Sequence, residues 1–145
     1  MSVNKLLNLT EKLISERIFD VPKGKVKMLC VGIRKKEILI GENKYIYSKQ
    51  IYYNYPNFCN IHAELDFFYK AKKNDFFADD ILIVGKRTKP LKTTKPCIYC
   101  ATVLSELKFK RIHFFENKML VTMTRKDFID YLNFSLEFKE YQIVA

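Results

Sequence analysis

Two short stretches hold the residues best suited to chemistry. His62-Ala63-Glu64 supplies an imidazole and a carboxylate, and Pro96-Cys97-Ile98-Tyr99-Cys100 supplies two thiols. Zn2+ takes nitrogen and sulfur ligands tetrahedrally, and a catalytic zinc keeps three protein ligands with the fourth position left to water. His62, Cys97 and Cys100 fill the three protein positions. Glu64 follows His62 closely enough to handle protons on that water without ligating the metal. Residues 61–65 read as the opening of a helix. Pro96 sits where a first-turn proline is tolerated, so Cys97 and Cys100 fall one turn apart on a second helix. Two helix N-termini would then turn their positive ends toward the thiolates.

His-x-Glu followed by Pro-Cys-x-x-Cys, with 34 residues between His62 and Cys97, resembles the zinc signature of the cytidine deaminase superfamily. The flanking wording, Asn60-Ile61 before the first motif and Thr94-Lys95 before the second, resembles small deaminase-like proteins of phages and large DNA viruses. The resemblance implies a Zn2+ cofactor and hydrolytic conversion of cytosine to uracil in a nucleoside or nucleotide. Hydroxide on the zinc would be the nucleophile, generated at neutral pH by the metal. Glu64 would carry its proton to the ring nitrogen and then to the leaving amine. The resemblance also makes a homodimer or homotetramer plausible. A redox Cys-x-x-Cys would leave His62-Ala63-Glu64 without a purpose.

The totals agree with an ordinary globular chain. A length of 145 residues bounds one domain, 1–145, able to bury a real core. Hydrophobic residues at 48% with only 4 Gly and 4 Pro exclude disordered and fibrous classes. No apolar run approaches a membrane span and the N-terminus lacks a signal-peptide core, so a soluble, cytoplasmic protein with no membrane partner is expected. In that setting cysteines are metal ligands or buried thiols rather than disulfides. Cys30 lies in an apolar run and reads as core; Cys59 is a spare thiol ahead of the zinc helix. The net charge of +10 favours anionic partners. It does not choose between a phosphorylated nucleotide, a polynucleotide and simple solubility.

Around the motifs, the patterning predicts an α/β protein. A three-layer α/β/α sandwich is expected, its mixed sheet of about five strands ending in an antiparallel pair. Apolar residues near a 3.6 period over 3–19 predict a first helix, ended by Val21-Pro22-Lys23-Gly24. Strand-like runs 25–33 and 37–40 are separated only by Arg34-Lys35-Lys36, which allows only an antiparallel hairpin. The second run stops at Gly41-Glu42-Asn43. Superfamily members often carry Gly-x-Asn there, the amide bonding a sugar hydroxyl, so Asn43 resembles that substrate contact; Gly-x-Asn is also a common turn, and both readings stand. Nucleoside-specific members often add a Glu two residues later, where this chain has Tyr45.

Residues 45–58 hold Tyr45, Tyr47, Tyr52, Tyr53, Tyr55 and Phe58, rings that either stack a base or pack beneath a loop. The zinc helix ends near Lys72-Lys73-Asn74-Asp75, and Ile81-Leu82-Ile83-Val84 reads as a strand buried on both faces. This order of strand, helix and strand suggests a crossover and a parallel pair. The loop 86–95 carries Lys86, Arg87, Lys89, Lys92 and Lys95 with no acidic residue, and a substrate phosphate is one reading of it, a solvated loop the other. Ala63, inside the first motif, and Lys95 complete the candidate substrate contacts.

Runs 111–115 and 119–123 are too close for anything but an antiparallel pair, an arrangement resembling the cytidine deaminase branch rather than those branches that insert a helix there. His113 has no local ligand pattern and reads as a packed histidine. Thr124-Arg125-Lys126-Asp127 opens a last helix with a capping-box pattern. Residues 137–145 carry no legible pattern. Two alternatives to the monomer deaminase remain: a deaminase of single-stranded DNA or RNA, and a catalytically silent nucleotide- or nucleic-acid-binding module of the same fold. Retention of Glu64 speaks against the second.

Overall fold

The computed structural model of the chain describes residues 2–45 and 61–144, with side chains given for all of these except Asp20 and 136–144. The amphipathic N-terminal run forms α1 (Val3–Arg17), capped by the Ser2 hydroxyl, which accepts from the Lys5 amide. A short 3-10 turn follows before β1 (Lys27–Arg34) and β2 (Glu37–Glu42). Lys35, at φ 55°, makes the tight turn between them. Next come α2 (Ala63–Asn74), β3 (Ala78–Lys86), α3 (Ile98–Ser105), β4 (Phe109–Glu116), β5 (Met119–Thr124) and α4 (Arg125–Val144).

The strands form one mixed sheet in the order β2-β1-β3-β4-β5. β1 is antiparallel to both β2 and β3, β3 and β4 are parallel around α3, and β4 and β5 are antiparallel. The strands joined by α2 do run in the same direction, but β1 lies between them. The hydrogen-bonded parallel pair is therefore β3–β4.

Alternation along the strands feeds two cores. Leu29, Val31, Ile33, Leu82 and Val84 face α1 through its Leu6 and Ile14. On the other face, Cys30, Ile81, Ile83, Ile112 and Phe114 pack against α2, α3 and α4, with Phe67, Phe68, Leu104 and Phe128 as the largest contributors. β3 carries the apolar run expected of a strand covered on both sides. The α/β/α layering follows directly.

One detail departs from the sequence-based expectation. β2 continues through Gly41 and Glu42 rather than turning at them, with Gly41 paired to Cys30. The glycine is needed because a Cβ there would lie 2.4 Å from the Ala63 carbonyl and 2.6 Å from the Phe67 amide. It lets the start of α2 lie directly on the sheet. His113 is packed, as expected, at 1% exposure. Its Nε2 lies 2.8 Å from Asp80 Oδ1 and its Nδ1 2.9 Å from Thr122 Oγ1. Arg111 also binds Asp80, at 3.0 Å, so the buried carboxylate is paired as burial requires.

Candidate metal centre and catalytic pocket

Two helix N-termini meet at the site, and each is capped by a would-be ligand. His62 is the N-cap of α2 and Cys97 the N-cap of α3. The carbonyls of both open their helices by accepting from Asp66 and Ala101. Helix α3 therefore begins after Cys97, and Pro96 precedes the helix instead of standing in its first turn. The Cys97 sulfur accepts from the Cys100 amide at 3.5 Å, a capping bond of the kind a serine hydroxyl usually makes.

Both helix starts are fixed to the sheet. A backbone bridge between Lys44 and Ile61 brings His62 alongside the end of β2. Asp66 accepts from the Glu42 amide at 2.9 Å and pairs with Lys70. On the other side Thr94 is buried between two strands: its hydroxyl donates to the Ile83 carbonyl and accepts from the Phe115 amide, and its own amide donates to the Phe115 carbonyl. Three residues later the chain delivers Cys97. Thr94 thus anchors the second ligand stretch.

The donor atoms converge. His62 Nδ1 lies 3.3 Å from Cys100 Sγ and 4.0 Å from Cys97 Sγ, and all three ligand atoms fall within 4.8 Å of one another. Bond lengths of about 2.0 Å to nitrogen and 2.3 Å to sulfur in a tetrahedron put such donors about 3.5 Å apart. The residues present fit a zinc ion, with one imidazole and two sulfurs, and there is no other group of this kind among the described residues.

The electrostatics agree with that donor set. The Cys100 side chain, hydrogen-bonded to the Cys97 sulfur, with help from the His62 imidazole, outweighs burial and lowers the Cys97 thiol to about 4. Cys97 is a thiolate at neutral pH, the form a metal takes. The His62 imidazole is raised, chiefly by its bond to Cys97. Cys30, wholly buried, moves the other way, because burial penalises its thiolate.

A direct prediction follows for the metal-free protein. Alkylation of Cys97 by iodoacetamide should hold nearly constant from pH 8 to pH 5, where an ordinary thiol near 8.5 would slow by roughly a thousandfold. Peptide mapping of the label against pH reads this out, and a rate that falls steadily below pH 8 would contradict it.

Glu64 stands beside the ligands with only 6% exposure. Burial raises its carboxyl above the usual carboxylate range, opposed by a backbone hydrogen bond and by His62. It shares a cavity of about 300 Å³ with Val26, Met28, Asn43, Tyr45, His62, Ala63, Lys95 and Cys97. Every sequence-predicted site residue except Cys100 lines that cavity. Cys100 is at 0% exposure, behind the wall.

Asn43 uses half of its amide on the scaffold. Its Nδ2 donates to the Val26 carbonyl and its Oδ1 accepts from the Met28 amide, leaving one hydrogen and one lone pair. The Tyr45 hydroxyl donates to the same Val26 carbonyl, at 2.7 Å. Tyr45 was visible in the sequence only as an aromatic where relatives carry an acid. Val26 and Met28 gave no signal, because nothing local tells which end of a strand faces a pocket. Tyr47, Tyr52, Tyr53, Tyr55, Phe58 and Cys59 lie outside the described residues.

Of the five cations of the loop after β3, Lys95 alone lines this cavity. Its ammonium meets the Tyr131 hydroxyl and ring and the Glu116 carboxylate. The Tyr131 hydroxyl, first among these contacts, raises the Lys95 ammonium above its ordinary value. Lys86, Lys89 and Lys92 line a separate groove.

No helix among the described residues is long and apolar enough to cross a membrane. The model of one protein family, described as the cytidine and deoxycytidylate deaminase zinc-binding region, matches residues 3–116, well over half of the chain. No curated protein matches it.

Proposed function

Because the chain belongs to the family defined by the cytidine and deoxycytidylate deaminase zinc-binding region, we propose that it hydrolyses the amino group of a cytosine base in a nucleoside or nucleotide, giving uracil and ammonia. One observation carries the reading: a buried acid–base group, Glu64, shares a cavity with an imidazole and a thiol that fit a metal. A purely structural metal site has no use for that carboxylate.

His62 Nδ1, Cys97 Sγ and Cys100 Sγ would hold the zinc ion. When bound, the ion supplies a water whose pKa falls from near 16 to about 7. Glu64 takes a proton from the attacking water and delivers it to N3 of the ring as the oxygen adds at C4. It then moves the second proton from the new hydroxyl to the amino group, which leaves as ammonia, and the ring keeps a C4 carbonyl and an N3 proton. Burial suits Glu64 to this task, since a carboxyl held above its ordinary range retains a proton long enough to give it away. The free half of the Asn43 amide would bond a sugar hydroxyl, and the Ala63 backbone would border the base; both residues line the cavity, which supports this reading.

Lys95 supports a phosphorylated substrate. Among the described residues it is the only cation lining the cavity, and the position occupied by an acid in nucleoside-specific relatives is Tyr45 here. The Lys95→Gln variant should raise KM about tenfold for a cytosine nucleoside monophosphate, about 1.4 kcal/mol, and leave KM for the free nucleoside unchanged. Zinc-loaded protein assayed chromatographically on cytidine, deoxycytidine, their monophosphates and single-stranded oligonucleotides tests the whole reading. Conversion of a monomer supports it; conversion of oligonucleotides alone moves the substrate to polymers. Metal bound without any conversion would leave a binding module.

A further inference from the structure

A groove of about 690 Å³ lies on the sheet face opposite the metal-ligand cluster, between α1 and the loop that follows β3. Its floor is apolar: Leu7 and Ile14 from α1, Val84 from β3, Leu91 from the loop and Phe115 from β4. Its rim is cationic, formed by Lys86, Lys89, Lys92 and Lys118, with Glu11 as the one carboxylate. Nothing in the proposed deamination uses it.

The loop that carries Lys89 and Lys92 is tied down, in part to the β4–β5 turn that carries Lys118. The Leu91 amide donates to the Gly85 carbonyl and the Lys118 amide to the Lys92 carbonyl, both at 2.8 Å, and the Asn117 amide donates to the Thr93 hydroxyl. Thr94 then anchors its far end between β3 and β4. The backbone from which the lysines project is therefore held in place along the trough.

The chemistry of the occupant follows from how those charges are arranged. A site for one phosphate gathers several backbone N–H groups and a cation on one point. Here the amides of Leu91, Asn117 and Lys118 are already used, and the ammonium groups are spread over two segments of chain. Dispersed cations along an apolar floor that includes an aromatic ring match a chain of phosphates with unpaired bases. A concave trough also cannot lie flat against a bilayer. Lys92 on the groove and Lys95 on the catalytic cavity are three residues apart, a reach of at most about 10 Å, so one basic strip borders both.

We infer that this groove binds single-stranded nucleic acid, as a site separate from the metal centre and independent of which substrate is deaminated there. Oligothymidylate of about 20 nucleotides is the probe, longer than the roughly 4–16-nucleotide footprint of a small binding domain and free of cytosine. Fluorescence anisotropy on the full chain should show binding that weakens at least tenfold in the triple variant Lys89→Gln/Lys92→Gln/Lys118→Gln. The slope of log affinity against log salt should flatten by about 2, the share of three lysines on a single strand. A control with equal charge loss at exposed positions elsewhere, Lys35→Gln/Lys36→Gln/Lys73→Gln, should stay within twofold of the parent. Hydrogen exchange on the unmodified protein should show protection at 86–92 and 115–118 when the oligonucleotide is added.

Equal weakening in both triple variants would reduce the effect to bulk charge and overturn the inference. So would thymidine monophosphate binding as tightly as the oligonucleotide, which would make the groove a mononucleotide site. Anionic vesicles that displace the oligonucleotide, and whose binding the groove variant abolishes, would reassign the surface to membranes.

Discussion

Replacing Glu64 by glutamine is expected to lower kcat by about 10⁴, the upper range for acid–base catalysis, while the protein keeps its full metal content. Glutamine preserves the shape and removes only the capacity to take up and release a proton, and the proposed reaction asks for that capacity twice. Folding should not suffer. The Glu64 carboxyl is raised by burial, so in the metal-free protein its charged form costs stability at pH 7. That cost is absent below the ordinary carboxylate range and grows as pH rises toward the folded value. Metal-free Glu64→Gln should thus melt at or above the parent temperature at neutral pH. Activity, metal content and melting temperature together separate lost chemistry from lost structure. Residual turnover within tenfold of the parent would mean that another group carries the protons.

Gly41→Ala should be the most damaging conservative change outside the ligands. Its Cβ would meet the Ala63 carbonyl at 2.4 Å and the Phe67 amide at 2.6 Å, and neither is a side chain able to rotate away. Helix α2 has to move, and it carries His62 at its cap and Glu64 in its first turn. Overpacking of this kind costs about 2–3 kcal/mol, a fall in Tm of roughly 10 °C for a chain of this size. The larger effect is on catalysis, since about 1 Å of misplacement is enough to cost about 100-fold in kcat/KM. Gly24→Ala supplies the contrast. At φ 81° with nothing within 4 Å, it should cost only about 1 kcal/mol of backbone strain and leave kcat unchanged. If Gly41→Ala behaves like Gly24→Ala, the close approach of α2 to β2 is not what holds the site.

What could be read from the sequence was whatever is written locally. The ligand residues stand in a pattern whose chemistry is specific, and the hairpins follow from turns too short for any other connection. The helix starts were placed two residues early because His62 and Cys97 occupy the N-cap positions, where serine, threonine, aspartate or asparagine is the usual signal. Gly41 resembled a turn because a glycine required by a neighbouring helix looks the same in sequence as one required by its own backbone. The basic loop read as a single feature, yet Thr94 and Leu91 fold it so that Lys95 meets the cavity and Lys86, Lys89 and Lys92 meet the groove. The walls contributed by Val26 and Met28, and the contact of Tyr131 with Lys95, depend on distant parts of the chain, which no local pattern records.

The sheet consists of two local hairpins joined by β3, and this has a consequence for how the protein assembles. Each hairpin closes over a tight turn at little entropic cost, Arg34 opposite Glu37 in one and Glu116 opposite Met119 in the other. β3 instead pairs Lys86 with Lys27 across a long stretch of chain, so its pairing carries a larger loop-closure cost than either hairpin. α2 precedes β3 and α3 follows it, so the imidazole and the thiols are brought together by the same event. A chain holding only its hairpins has scattered ligands, so a metal ion would be captured by the finished sheet rather than serve as the seed from which it grows.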